Sequence, residues 1–271
     1  MLWCLERPPI PNADADHPTL LLLHGLGGTA DLWQPLLDVA SQGWPGRILA
    51  VDLPGHGRSS WQADYSFGSL AVAVAETLTA RKVGPVVVVG HSFGGVVGLL
   101  LATGWFGVTV IGAVGLGMKV TWTLADMHAQ AELRVKPART FPTYGEALAR
   151  FIAVNGLRGV LADDSVLGYG GVLQAPSGSG WLLAHDPLTF VKEVPPVAQV
   201  MTLGGCPTVI GCGELDQMIG AEELRALDIV PVVFPGVGHN AHIEVPADVL
   251  GLALQVLAMA RSPHGAEGSL A

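Results

Sequence analysis

Five residues, Gly90-His91-Ser92-Phe93-Gly94, join the apolar run 85–89 to the small-residue run 95–101. A β-branched run, a glycine-flanked turn and a helix-like run in that order describe a strand, a tight bend and a helix with a serine at the apex. Side chains beside the bend would obstruct it, and glycine removes them, so the hydroxyl is lifted above the sheet edge. With 36 glycines in 271 residues the bare G-x-S-x-G spacing proves little. The strand before it, the small residues after it, and acid and base residues further along are separate demands, and the chain meets all of them.

Short continuous apolar runs of the kind that form buried parallel strands recur at 19–23, 47–51, 86–89, 108–116, 208–211 and 229–234. Between the second and third, Phe67, Leu70, Val74 and Leu78 fall on one face of a helix expected over 66–82, and a closing helix is expected over 248–260 after Pro246. This alternation implies right-handed crossovers and a mostly parallel, doubly wound α/β sheet covered on both faces. The rhythm breaks over 121–200, where no strand is expected and Thr143-Tyr144-Gly145-Glu146 has the form of a capping box. The expected organisation is a core of 1–120 and 201–271 carrying an inserted helical cap, 121–200. Within that insert 168–180 reads as a loop, and the tail 262–269 is expected to fray.

Taken together, His24-Gly25-Leu26-Gly27-Gly28, Asp52-Leu53-Pro54-Gly55-His56-Gly57-Arg58-Ser59, Gly90-His91-Ser92-Phe93-Gly94-Gly95, Gly213-Glu214-Leu215-Asp216 and Gly238-His239 resemble the α/β-hydrolase family in their order and strand-end positions. That resemblance implies a nucleophile, acid and histidine in chain order, here Ser92, Asp216 and His239. A serine hydroxyl needs such a base within reach and a carboxylate to hold the base in the right tautomer. His242 is the nearest rival base, and Glu214 and Asp228 are the rival acids. The resemblance also assigns an oxyanion hole to the main-chain N–H groups of Leu26 and Phe93. Only Leu2-Trp3-Cys4-Leu5 precedes the proline-rich Pro8-Pro9-Ile10-Pro11, so the opening hairpin of the family is expected to be short or partly missing.

A different fold could use part of this pattern, because Gly25-Leu26-Gly27-Gly28-Thr29-Ala30 fits G-x-G-x-x-A after a strand and Asp52 follows at a suitable distance. That dinucleotide-binding alternative leaves Ser92, Asp216 and His239 unexplained. Asp52 and His56 sit in a Gly/Pro turn and are expected to hold the loop, and His91 to pack against its neighbours. No His, Cys or Asp cluster has metal-ligand spacing, so neither metal nor cofactor is expected.

The insert is rich in Leu, Val, Ala and aromatics, which points to a largely apolar pocket for a small molecule. Its candidate linings are Trp122, Phe141, Phe151, Trp181 and Phe190, with His24, Gly25 and His242 from the core. Seven of the chain's 14 Lys and Arg, namely Lys119, Arg134, Lys136, Arg139, Arg150, Arg158 and Lys192, fall in the middle of the chain. They either form a solvated face or bind the anionic tail of a substrate. The expected activity is hydrolysis of a carboxylic ester through an acyl-enzyme. The alternatives are hydrolysis of a carbon–carbon bond in a vinylogous diketone acid, as in meta-cleavage product hydrolases, and a ligand-binding sensor on the same fold.

A net charge of −9 with no basic run makes nucleic acid an improbable partner. No run of about 18 apolar residues escapes interruption, so a membrane span is not expected. The opening residues lack signal-peptide form, and three scattered cysteines, Cys4, Cys206 and Cys212, suit a reducing compartment, so the expected location is the cytoplasm. Monomer and homodimer are equally compatible with the sequence.

Overall fold

A computed structural model describes residues 1–10, 17–190 and 192–262. The tail from Pro263 onward, with the fraying expected of it, lies outside the described residues, as does Pro11. Seven strands form the central sheet: β1 (Cys4–Arg7), β2 (Thr19–Leu23), β3 (Ile48–Val51), β4 (Val86–His91), β5 (Val110–Leu116), and later in the chain Thr208–Gly213 and Val232–Phe234. A two-stranded ribbon of β6 (Val172–Gln174) and β7 (Trp181–Leu183) intervenes, so the last two sheet strands are β8 and β9. The sheet order is β1-β3-β2-β4-β5-β8-β9. Only β1 runs antiparallel, at one edge beside β3, and it is the opening strand that the short amino-terminal run left open.

The apolar runs become strands because both of their faces are covered. Leu21, Leu23, Val86 and Val88 pack against one cluster, and Leu20, Leu22, Val87 and Val89 against another, as the period of two requires. Helices α1 (Gln34–Gly43) and, at the end of the chain, Pro246–Arg261 cover one face through Leu36, Leu37, Leu250 and Val256. Helices α2 (Phe67–Ala80) and α3 (Phe93–Ala102) cover the other through Leu70, Val74, Val97 and Leu101. Helix α2 starts where Ser66 and Ser69 satisfy each other's backbone N–H groups. The order reverses between β2 and β4, and in a sheet of this kind the crevice at the strands' carboxyl ends there is where ligands bind.

The segment between β5 and β8 adds no strand to that sheet. It carries α4 (Leu124–Arg134), α5 (Tyr144–Val154), the ribbon β6/β7 and α6 (Val197–Leu203). The reciprocal capping box lies at Thr123 and Asp126, whereas Thr143 accepts from the Glu146 N–H without the return bond. The expectation of no strand here is corrected, because three-residue strands are too short to show alternation. Gly178 and Gly180, with φ of +78° and +83°, let the chain turn between them. Of the expected loop 168–180, residues 168–171 belong to a 3₁₀ helix, Val166–Gly171, packed on Phe151. Helices α7 (Ala221–Arg225), α8 (Ala241–Glu244) and α9 (Pro246–Arg261) complete the chain. The expected strand over 229–234 begins only at Val232, since Pro231 before it has no N–H to give a ladder.

At Gly94 a methyl group would overlap the carbonyl oxygens of both Leu23 and His24, which are backbone atoms with no room to yield. Gly94→Ala is therefore expected to destabilise the protein by about 3 kcal/mol, seen as a lower midpoint in urea with an unchanged m-value. An unaltered midpoint would contradict the close approach of α3 to β2.

Candidate active site

Ser92 joins β4 to α3 with φ 48° and ψ −113°, a left-handed conformation that a non-glycine residue adopts only under strain. Its N–H donates to the Leu116 carbonyl at 2.7 Å, which fixes the bend against β5. A methyl at Gly90 would overlap the backbone of Gly94 and Gly95, so the glycines on both sides of the serine are needed for strand and helix to meet this closely.

The loops after β8 and β9 are laced together by Glu214 N–H to the Phe234 carbonyl at 2.9 Å and Leu215 N–H to the Val237 carbonyl at 2.8 Å. They bring Asp216 to His239, whose Nδ1 lies 2.9 Å from Asp216 Oδ2. Asp216 Oδ1 accepts from the Met218 N–H at 2.8 Å, which fixes the carboxylate from its other side. Since a carboxylate only accepts, Nδ1 carries the proton in this bond. Gly117, at φ +57°, leaves space beside the pair: a methyl there would come within 3.0 Å of His239 Nδ1 and 3.1 Å of Asp216 Oδ2.

Ser92 and His239 line one cavity of about 480 Å³. Among the described residues the Ser92 hydroxyl makes no hydrogen bond to the ring, a looseness common in sites without substrate. Leu26 and Phe93 line the same cavity, and the Phe93 N–H belongs to the first turn of α3, where an amide has no carbonyl within the helix to bond. Phe67, Val96, Val154, Val194, Leu215 and Met218 make the remaining walls largely apolar.

The rivals have other duties. Glu214 Oε2 accepts from the Gly236 N–H at 2.8 Å and holds the β9 loop. Asp228, at φ 60°, lies just after α7 and does not line the cavity. His242 is fully buried under Trp33, ring centres 4.4 Å apart, and burial pushes its pKa down to about 3. His91 donates from Nε2 to the His239 carbonyl at 3.0 Å and stands edge-on to the His239 ring at 4.6 Å. Burial, together with the neighbouring His242 and His239, holds His91 well below the usual histidine range.

The binding residues expected from sequence divide. Gly25 and Trp122 line the cavity. His24 is a correction: it is fully buried, receives the Leu53 N–H on Nε2 at 2.9 Å, and donates from Nδ1 to the Gly25 carbonyl at 2.8 Å. It pins the glycine loop instead of meeting a ligand, and burial brings its pKa to about 4. His242 is corrected likewise by its burial. Phe151 belongs to a satellite core with Leu148, Ile152 and Leu157. Phe141 and Trp181 exchange backbone hydrogen bonds at 2.8 Å, and Trp181 packs edge-on to Tyr144. None of these three aromatics reaches the cavity beside Ser92, because helical or strand spacing looks the same whether the buried face meets core or ligand.

Sequence reasoning missed Phe67, Lys119, Gln130, Asn155 and Met218 in the cavity wall. Asn155, just after α5, donates from Nδ2 to the Gly27 carbonyl at 3.3 Å and so ties the insert to the glycine loop. No local pattern announces such a contact. Asp52 accepts from Ala30 and Arg58 N–H groups at 2.7 and 2.9 Å, which leaves it unavailable to a ribose and removes the basis of the dinucleotide alternative. Among the described residues no group of three or more His, Cys, Asp or Glu could hold a metal ion, and no helix is long and apolar enough to cross a membrane.

Comparison with known proteins agrees with this fold. A model described as the alpha/beta hydrolase family matches residues 20–252. The chain is 28% identical over 252 residues to 2-succinyl-6-hydroxy-2,4-cyclohexadiene-1-carboxylate synthase of Serratia proteamaculans, covering 89% of this chain and 94% of that one. Among solved structures, a thioesterase domain from the curacin biosynthetic pathway superposes with a TM-score of 0.71 at 20% identity, covering 93% of this chain and 94% of the other. E-2-(acetamidomethylene)succinate hydrolase does so with a TM-score of 0.73 at 19% identity, covering 89% and 91%. At such identities these two likenesses concern the fold alone.

Proposed function

Because this chain belongs to the alpha/beta hydrolase family, we propose that it is a serine hydrolase that cleaves a carboxylic ester of a small, largely apolar substrate through an acyl-enzyme. His239 Nε2 takes the proton of the Ser92 hydroxyl as its oxygen bonds to the ester carbon. The carbonyl oxygen becomes an oxyanion received by the N–H groups of Leu26 and Phe93, each worth about 3 kcal/mol in such a role. Collapse expels the alcohol, which takes the proton from His239. A water then gives a proton to the same nitrogen as its oxygen bonds to the acyl carbon, and collapse releases the acid and the Ser92 oxygen, which takes that proton back from His239.

The observation that carries this reading is the 2.9 Å Asp216–His239 bond on the rim of the cavity that holds the strained Ser92. Residues 121–200 act as the cap that chooses the substrate, since Trp122, Gln130, Val154, Asn155 and Val194 come from that segment to the cavity. The three free cysteines suit the cytoplasm as its place of work.

A fluorophosphonate probe is expected to label Ser92 stoichiometrically, and short neutral esters to be hydrolysed at a rate the label abolishes. An unlabelled Ser92 in folded protein would instead favour a binding protein. Cleavage of an acidic dienoate without cleavage of any ester would favour carbon–carbon bond hydrolysis.

A further inference from the structure

A second cavity, of about 440 Å³, lies beside the first, and Leu26 and Val154 line both. Lys136, Arg139 and Arg150 rim it, and among the described residues no carboxylate lines it. Of the other cations of the same segment, Lys119 pairs with Asp126, Arg134 and Lys192 share Asp64, and Arg158 lines neither cavity. Among the described residues Lys136, Arg139 and Arg150 form no ion pair. In a chain with 23 acidic residues against 14 basic ones, three uncompensated cations around one hollow stand out from a solvated, mixed surface. The Arg139 guanidinium rests 4.8 Å from the centre of the Phe141 ring, which limits its freedom. Phe190, Leu183 and Leu133 supply apolar wall between the charges.

We propose that this second cavity is an anion subsite of the same active site, and that the substrate is an ester whose far end carries a carboxylate or phosphate on an apolar stem. The proposal rests on Ser92 as nucleophile. Leu26 places it: this residue, whose N–H is assigned to the oxyanion, stands between the two hollows, so a carbonyl held there leaves one arm of the substrate directed at each. A chain of net charge −9 repels anionic ligands from a distance, and a local basic rim reverses that field where it matters.

The test compares p-nitrophenyl esters of glutaric, adipic and suberic acids with neutral isosteres of equal length and with ω-phosphate analogues. At least one anionic series is expected to exceed its neutral isostere in kcat/KM by about tenfold, the scale of charge-assisted hydrogen bonds to arginine, and the better series identifies the group. In Arg139→Gln/Arg150→Gln protein the anionic-to-neutral ratio is expected to fall to near one. Neither anion preferred in the wild type, or a preference retained in the double variant, would overturn the subsite. Calorimetric titration of monomethyl adipate into Ser92→Ala protein, with and without the two Arg→Gln changes, reads the subsite apart from chemistry. Absent heat in both proteins overturns the subsite alone, whereas failure to label Ser92 overturns the nucleophile alone.

Discussion

Ser92→Ala is expected to lower kcat on a neutral ester by 10⁴-fold or more, with stability changed little or slightly improved. The loss follows from removing the proposed nucleophile, and nucleophile deletions in triad hydrolases cost about 10⁶-fold, with oxyanion donors and binding supplying the remainder. Alanine at that point keeps the bend, held by Gly90, Gly94 and the Ser92 N–H bond to Leu116, none of which involves the hydroxyl. Asp216→Asn is expected to cost about 10⁴-fold, because the amide disturbs the tautomer of His239. Steady-state kinetics with far-UV circular dichroism as the folding control checks both. Undiminished turnover by folded Ser92→Ala protein would remove the proposed chemistry altogether.

Acid is expected to unfold the protein steeply as pH falls from about 6.5 toward about 4. In an unfolded chain each histidine takes a proton near pH 6.5. In the fold, burial brings His24 to about 4 and His56 and His242 to about 3, and holds His91 and His185 well below their ordinary value. As pH falls from 6.5 toward 4, the unfolded chain binds protons that the fold refuses, so stability is lost throughout that window. Each histidine removes roughly 1 kcal/mol per pH unit, and five acting together exhaust a typical total of about 5–15 kcal/mol within a few units. Asp52 acts in the other direction, since burial raises its carboxyl and the fold takes up that proton first, but it is one group against five. Equilibrium circular dichroism between pH 7 and 4 checks this, and a flat stability over that range would contradict it.

The sheet was legible because Thr19–Leu23 and Val86–Val89 are apolar on both faces, a pattern with few other uses. Ser92 was legible because glycines at 90 and 94 answer a local steric demand. The partnership of Asp216 and His239 rested on order along the chain and on family likeness, since nothing local to either residue names the other. Histidine gives the opposite lesson: His239 edges a cavity while His24, His56 and His242 are buried away from it, and composition cannot tell these fates apart. The ribbon β6/β7 escaped notice because three-residue strands carry no period. Charge was equally opaque, for Arg134 and Lys192 find Asp64 across a wide gap in sequence while Arg139 and Arg150 find no carboxylate among the described residues. Such pairings are properties of the folded surface alone.

Ser92 follows β4 at the centre of the sheet, flanked by long neighbours, whereas His239, the proposed base, follows β9, a three-residue strand that forms one border of the sheet among the described residues. Thermal agitation works inward from borders, where fewer bonds must open at once. On warming, the imidazole is expected to lose its bearing on the serine while the centre of the sheet is still intact, so the proposed activity is expected to fall silent before the protein melts.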